Sequence, residues 1–68
     1  MRNRVSELRR QAHMTQEDLA RRLGVSRQTV NAIENERYNP SLVLGLKMAR
    51  LLEQPVDQLF ILEENDTE

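Results

Sequence analysis

Arg27, Gln28 and Asn31 place three flat, multivalent hydrogen-bonding side chains within five positions of the chain. Arginine can bond guanine O6 and N7 as a bidentate pair, glutamine and asparagine can do the same to adenine N6 and N7, and the methyl of the neighbouring Ala32 can touch a thymine methyl. That chemistry requires them to share one exposed face of a rigid element. Gln16, at the start of the preceding helical segment, lies beside the free N–H groups of a helix end and is placed to hold a phosphate. Other chemistry finds no support. Ser26 lacks a neighbouring base and orienting acid and reads as a helix cap. His13 is a lone imidazole with no cluster around it, and the absence of cysteine removes disulfides and thiolate metal sites. With no paired acids and no phosphate-binding loop, an enzyme is not expected, nor is a cofactor, a metal or a small-molecule site.

Five helical segments can supply the frame. In the first, about Asn3 to Ala12, Val5, Leu8 and Ala12 form one stripe of a 3.6-residue period, with Arg4, Glu7, Arg9 and Arg10 outward. The second runs from an N-cap at Thr15 to Leu23, with Thr15 and Asp18 spaced as a capping box and Met14 and Leu19 as a hydrophobic staple. Leu19, Ala20 and Leu23 face inward, and Gly24 suits the left-handed conformation that stops a helix. Ser26 caps a third helix, Arg27 to Asn35, whose inner residues are Val30 and Ile33, with Val25 and Val30 as a second staple. Asn35 can end it in the left-handed region.

After the polar loop Glu36 to Pro40, a fourth helix from Ser41 to Leu52 is expected to turn Leu42, Gly45, Leu46, Ala49 and Leu52 inward. Gly45 either marks the close approach of another helix or is simply tolerated, at a cost of about 1 kcal/mol relative to alanine. Pro55 suits the first position of a short fifth helix, whose Val56 and Leu59, with Phe60, would seal the core. Phe60-Ile61-Leu62 is an apolar, β-favouring run followed by acids.

The informative unit is residues 16–35, two short helices around a tight turn. A crossing at a steep angle needs a small residue at the contact, Ala20, and a glycine in the turn, Gly24. Leu19, Leu23, Val25, Val30 and Ile33 pack the elbow, which leaves Arg27, Gln28, Asn31 and Ala32 outward on the second helix, with Thr29 partly so. The segments Met14 to Ala20, Leu23 to Val30, Ile33-Glu34-Asn35 and Asn39-Pro40-Ser41-Leu42 together resemble the phage-repressor and Cro-like helix-turn-helix regulators, over about residues 3–60. The resemblance implies an all-α, five-helix, lambda-repressor-like DNA-binding domain. It also implies that Gln16 and Asn35 grip the DNA backbone, that Arg27, Gln28, Asn31 and Ala32 meet bases, and that Arg9 pairs with Glu34. Thr29, Arg37 and Tyr38 complete the candidate backbone contacts. Two positions depart from the family pattern: Glu53 and Glu36 stand where glycines often end the fourth and third helices.

Sixty-eight residues make one domain, and at this size only about 60% of the surface is buried on folding, so association with a second copy is a reasonable source of stability. The net charge of −1 is uneven: four of the eleven acids fall in residues 63–68, leaving ten bases against seven acids in residues 1–62. The reading is a DNA-binding domain over 1–62 and a disordered, solubilising acidic tail over 63–68. No apolar run approaches the roughly 20 residues that cross a bilayer, and Met1 to Arg4 do not begin a signal peptide, so a cytoplasmic protein is expected. The likeness is nearest to minimal members in which a C-terminal strand pairs across a dimer. It implies a homodimer joined at Phe60, Ile61 and Leu62 that binds double-stranded DNA, most simply as a repressor on a palindromic operator. The alternative is a protein-interaction module, an antitoxin or adaptor, using the same helix face.

Overall fold

A computed structural model describes residues 1–66. The order of elements is β1 (Arg2–Asn3), α1 (Val5–Gln11), α2 (Gln16–Leu23), α3 (Arg27–Glu34), α4 (Leu42–Leu51), α5 (Val56–Leu59), β2 (Phe60–Ile61) and a final 3-10 turn (Glu64–Asp66). This is the expected five-helix architecture with one small antiparallel sheet, in which Arg2 faces Ile61 and Asn3 faces Phe60.

Local chemistry accounts for the helix starts. The Thr15 hydroxyl accepts from the Asp18 N–H at 3.0 Å while the Asp18 carboxylate accepts from the Thr15 N–H at 3.0 Å, a closed capping box. Ser26 and Ser41 cap α3 and α4 through the N–H groups of Thr29 and Leu44. At α1, where Arg4 supplies no cap, the Asn3 side chain accepts from the Val5 N–H.

The helix ends share one device. After α2, Gly24 sits at φ 75, its N–H donates back to the Arg21 carbonyl and the Val25 N–H to the Ala20 carbonyl. The same pair of backward hydrogen bonds closes α1, α3 and α4, but there the left-handed residues are His13 (φ 60), Glu36 (φ 61) and Glu53 (φ 57). Asn35 therefore does not end α3 in the left-handed region; it keeps φ −90 and the positive angle passes to Glu36. Glycine's usual places are kept as geometry although glutamate fills them.

Val5 and Leu8 of α1, Leu19, Ala20 and Leu23 of α2, and Val30 and Ile33 of α3 are all buried, with Met14 and Val25 packed against them at the two staples. Met48, Ala49, Leu52 and Leu59 close the core from the other side.

Several inward positions differ from expectation. Ala12 is exposed, because α1 ends at Gln11 before its stripe recurs. On α4, Leu42 is 75% exposed and Leu46 also faces out, while Met48 and Leu44 take the inner positions. That helix is apolar nearly all round, so packing against α2 and α5 selects its face. Gly45 meets Phe60 and Pro40 side chains rather than another helix. Pro55 is the N-cap of α5 rather than its first residue, and Val56 is exposed.

The termini carry the largest difference. β2 pairs within its own chain, with an N-terminal strand that replaces the expected first turn of α1. The Asn3 amide also donates to the Ile33 carbonyl at 2.9 Å, tying β1 to the end of α3. Residues 64–66 form a turn rather than a loose tail, and the Met1 amine lies 2.9 Å from Asp66 and 3.5 Å from Glu63. The remainder of the tail, residues 67 and 68, lies outside the described residues.

Candidate nucleic-acid interface

Val30 and Ile33 are fully buried, and this pins the roll of α3 about its axis. Positions 27, 28, 31 and 32 must then turn away from the core. Arg27 and Gln28 are exposed, and Asn31 and Ala32 are half-buried. With Gln16 from α2 and Arg37 from the following loop they line one open concavity of about 420 Å³. The four side chains expected to meet bases and two of those expected on the backbone therefore share a single surface.

The other three lie apart from it. Thr29 has its hydroxyl 3.0 Å from that of Ser26, inside the cap of α3. The Asn35 amide donates to the Asn31 carbonyl at 2.9 Å, and Tyr38 stands exposed further along the loop. Arg37 reaches back, its guanidinium 3.3 Å from the Asn31 side-chain oxygen, which holds that amide with its nitrogen free to donate.

A second concavity adjoins the first, lined by Arg9, Arg10, Thr15, Gln16, Glu17 and Arg27. Arg10 is the residue that sequence reasoning left among the solvated positions of α1. Its one available signal was nearness to the α2 cap.

Beneath both surfaces lies an ion pair. Arg9 is 8% exposed; its Nε donates to Glu34 Oε2 at 2.7 Å, its Nη2 to Oε1 at 3.3 Å, and its Nη1 to the Met14 carbonyl at 2.8 Å. Gln16 Nε2 adds a further donation to Glu34 Oε1 at 2.9 Å. One carboxylate thus joins α1, α2 and α3, and among the described residues no buried side-chain polar atom lacks a partner. At the edge of the second surface, the Thr15 N–H donated to Asp18 holds that carboxyl below its ordinary pKa, so the mouth of α2 carries a persistent negative charge. Among the described residues no cluster of histidine and acidic side chains could hold a metal, and no helix is long and apolar enough to cross a membrane.

Comparison with known proteins fits this geometry. The chain matches the helix-turn-helix family over residues 5–59. It is 44% identical over 66 residues to an uncharacterized HTH-type transcriptional regulator of Archaeoglobus fulgidus, covering 97% of this chain and 93% of that protein. A relative in Methanocaldococcus jannaschii with the same description is also 44% identical, over 97% of this chain and all of that one. Among solved structures, a hypothetical transcription factor from Neisseria superimposes with a TM-score of 0.76 at 34% identity, covering 91% of this chain and 68% of that one.

Proposed function

The chain belongs to the helix-turn-helix family, and from that premise we propose that it is a cytoplasmic, sequence-specific regulator that reads the major groove of double-stranded DNA with α3. The observation that carries this reading is the concavity shared by Gln16, Arg27, Gln28, Asn31, Ala32 and Arg37. Arg27 is suited to guanine, Gln28 and Asn31 to adenine, and Ala32 to a thymine methyl. Gln16 and Arg37 flank these residues as backbone contacts, and Thr29, Asn35 and Tyr38 extend the grip along the strand.

One such face is small, so the protein acts as a homodimer on a palindromic operator with half-sites about 34 Å apart. The described residues support pairing in two ways. The sheet has only two strands, so β2 keeps an outer edge, and Leu62 beyond it is 77% exposed. Leu42, Val43 and Leu46 leave further apolar surface in water on α4, the helix that meets Phe60 at Gly45. Residues 1–62 form the binding domain, 63–68 add an acidic end, and occupancy near a promoter makes repression the simplest outcome.

Selection from a random duplex pool, followed by affinity measurements across a salt series, tests the reading. An inverted repeat whose affinity falls as salt rises is the expected result. Replacing Gln28 with alanine should then cost about 1–3 kcal/mol at one base position. Failure to enrich any sequence at low and moderate salt would refute specific recognition and leave the α3 face to a protein partner.

A further inference from the structure

Glu34 closes α3 with a side chain only 6% exposed, next to a surface lined by arginines. By charge alone, a carboxylate there opposes the approach of phosphate. Arg9 occupies Oε2 and shares Oε1, and the Gln16 amide nitrogen completes Oε1. A carboxylate only accepts, so it dictates which end of the glutamine amide turns inward. The nitrogen faces Glu34, and the second N–H and the carbonyl oxygen remain for the surface. Gln16 lines both concavities, a place it shares only with Arg27 among their described lining residues. A glutamine free in water would have to surrender its rotamers on binding, whereas this one is already held.

We propose that Glu34 is a positioning residue for the DNA backbone grip: through the Arg9-anchored carboxylate it presents the free N–H of Gln16 to a phosphate oxygen. This rests on the DNA-reading function above. The interhelical ion pair then serves recognition as well as folding.

The two roles predict opposite signs. Removing a negative charge near phosphates tightens binding, while releasing Gln16 weakens it. A generic duplex serves as probe because a phosphate contact is independent of sequence. In fluorescence anisotropy on folded protein, Gln16→Ala should weaken binding about tenfold, as loss of one hydrogen bond to a charged group does. Glu34→Gln should weaken it by a similar factor, and the double variant no more than Gln16→Ala alone. Because a neutral amide releases no counterion, the salt slope should stay unchanged in Gln16→Ala.

Tighter binding by Glu34→Gln, or equal loss from it with and without Gln16, overturns the proposal while leaving DNA binding intact. Absence of binding by the unmodified protein at low salt overturns both. Should Glu34→Gln fail to fold, nuclear magnetic relaxation of the Gln side-chain amides in the unmodified protein decides: Gln16 is expected to be rigid and Gln28 mobile. Equal mobility of the two defeats the assignment.

Discussion

Replacing Glu53 with glycine should stabilise the protein. Glu53 sits at φ 57, in the left-handed region, where the backward hydrogen bonds that end α4 require it. That conformation costs an L-residue roughly 1–2 kcal/mol through the clash of Cβ with the following carbonyl. Glycine avoids the clash but gives the unfolded chain more freedom, which offsets roughly 0.5–1 kcal/mol. At the centre of these ranges the net gain is about 0.8 kcal/mol, or roughly 3–6 °C in Tm for a domain of this size. Circular dichroism melts and urea titrations measure it, with the urea midpoint rising at unchanged m. Gly24 supplies the reverse experiment. A Cβ added there meets nothing within 4 Å, so Gly24→Ala isolates the conformational cost and should lose about what Glu53→Gly gains. If Glu53→Gly melts at or below the parent temperature while Gly24→Ala is neutral, backbone strain is not what these helix ends carry.

Three further outcomes are expected. Gly45→Ala should raise stability by up to about 1 kcal/mol in the same melts, since the new methyl would lie 3.7 Å from Phe60 and 4.0 Å from Pro40, ordinary contact distances; a loss would mean that Phe60 cannot shift. Thr15→Ala should cost about 1 kcal/mol at neutral pH by opening the capping box. Asp18 has a pKa lowered from 3.8 first by the Thr15 N–H, which alanine keeps, and next by the Thr15 hydroxyl, which it removes, so its contribution is complete above that value and is lost as pH falls through the lowered pKa; acid titration should therefore destabilise the parent more than the variant only by the hydroxyl's share. Arg9→Leu should cost about 3–5 kcal/mol in urea because it strands the buried Glu34 carboxylate, and a cost under about 1 kcal/mol would show that water solvates that carboxylate.

What could be read from the residues alone was what local chemistry decides. Thr15, Ser26 and Ser41 announce helix starts because a cap acts within three residues, and the polar outer face of α3 follows from the spacing of Val30 and Ile33. The face of α4 was not legible, since Leu42, Val43, Leu44, Leu46, Met48 and Leu51 satisfy several stripes and only contact with α2 and α5 chooses among them. β1 was hidden for a related reason: Arg2 and Asn3 are polar, and their strand exists only because Phe60 and Ile61 lie opposite. At the site, an arginine on an open face and one lining a concavity look alike in sequence, which concealed Arg10. The bond from Gln16 to Glu34 spans eighteen positions and depends on the crossing of α2 and α3.

The clasp of β1 on β2, with the Met1 amine beside Asp66, makes the fold close to a ring. Its helices could be entered at another point in the cycle: a short link from Asp66 to Met1, with a new opening in the exposed stretch from Glu36 to Asn39, would preserve the buried contacts. A ring also orders events in time. Helices α1 to α5 form from near neighbours, whereas the clasp waits for the two ends to meet, so it should assemble last and be the first part to exchange its amide protons. Since Asn3 bridges the clasp to the Ile33 carbonyl, fraying of β1 reaches the end of α3 directly.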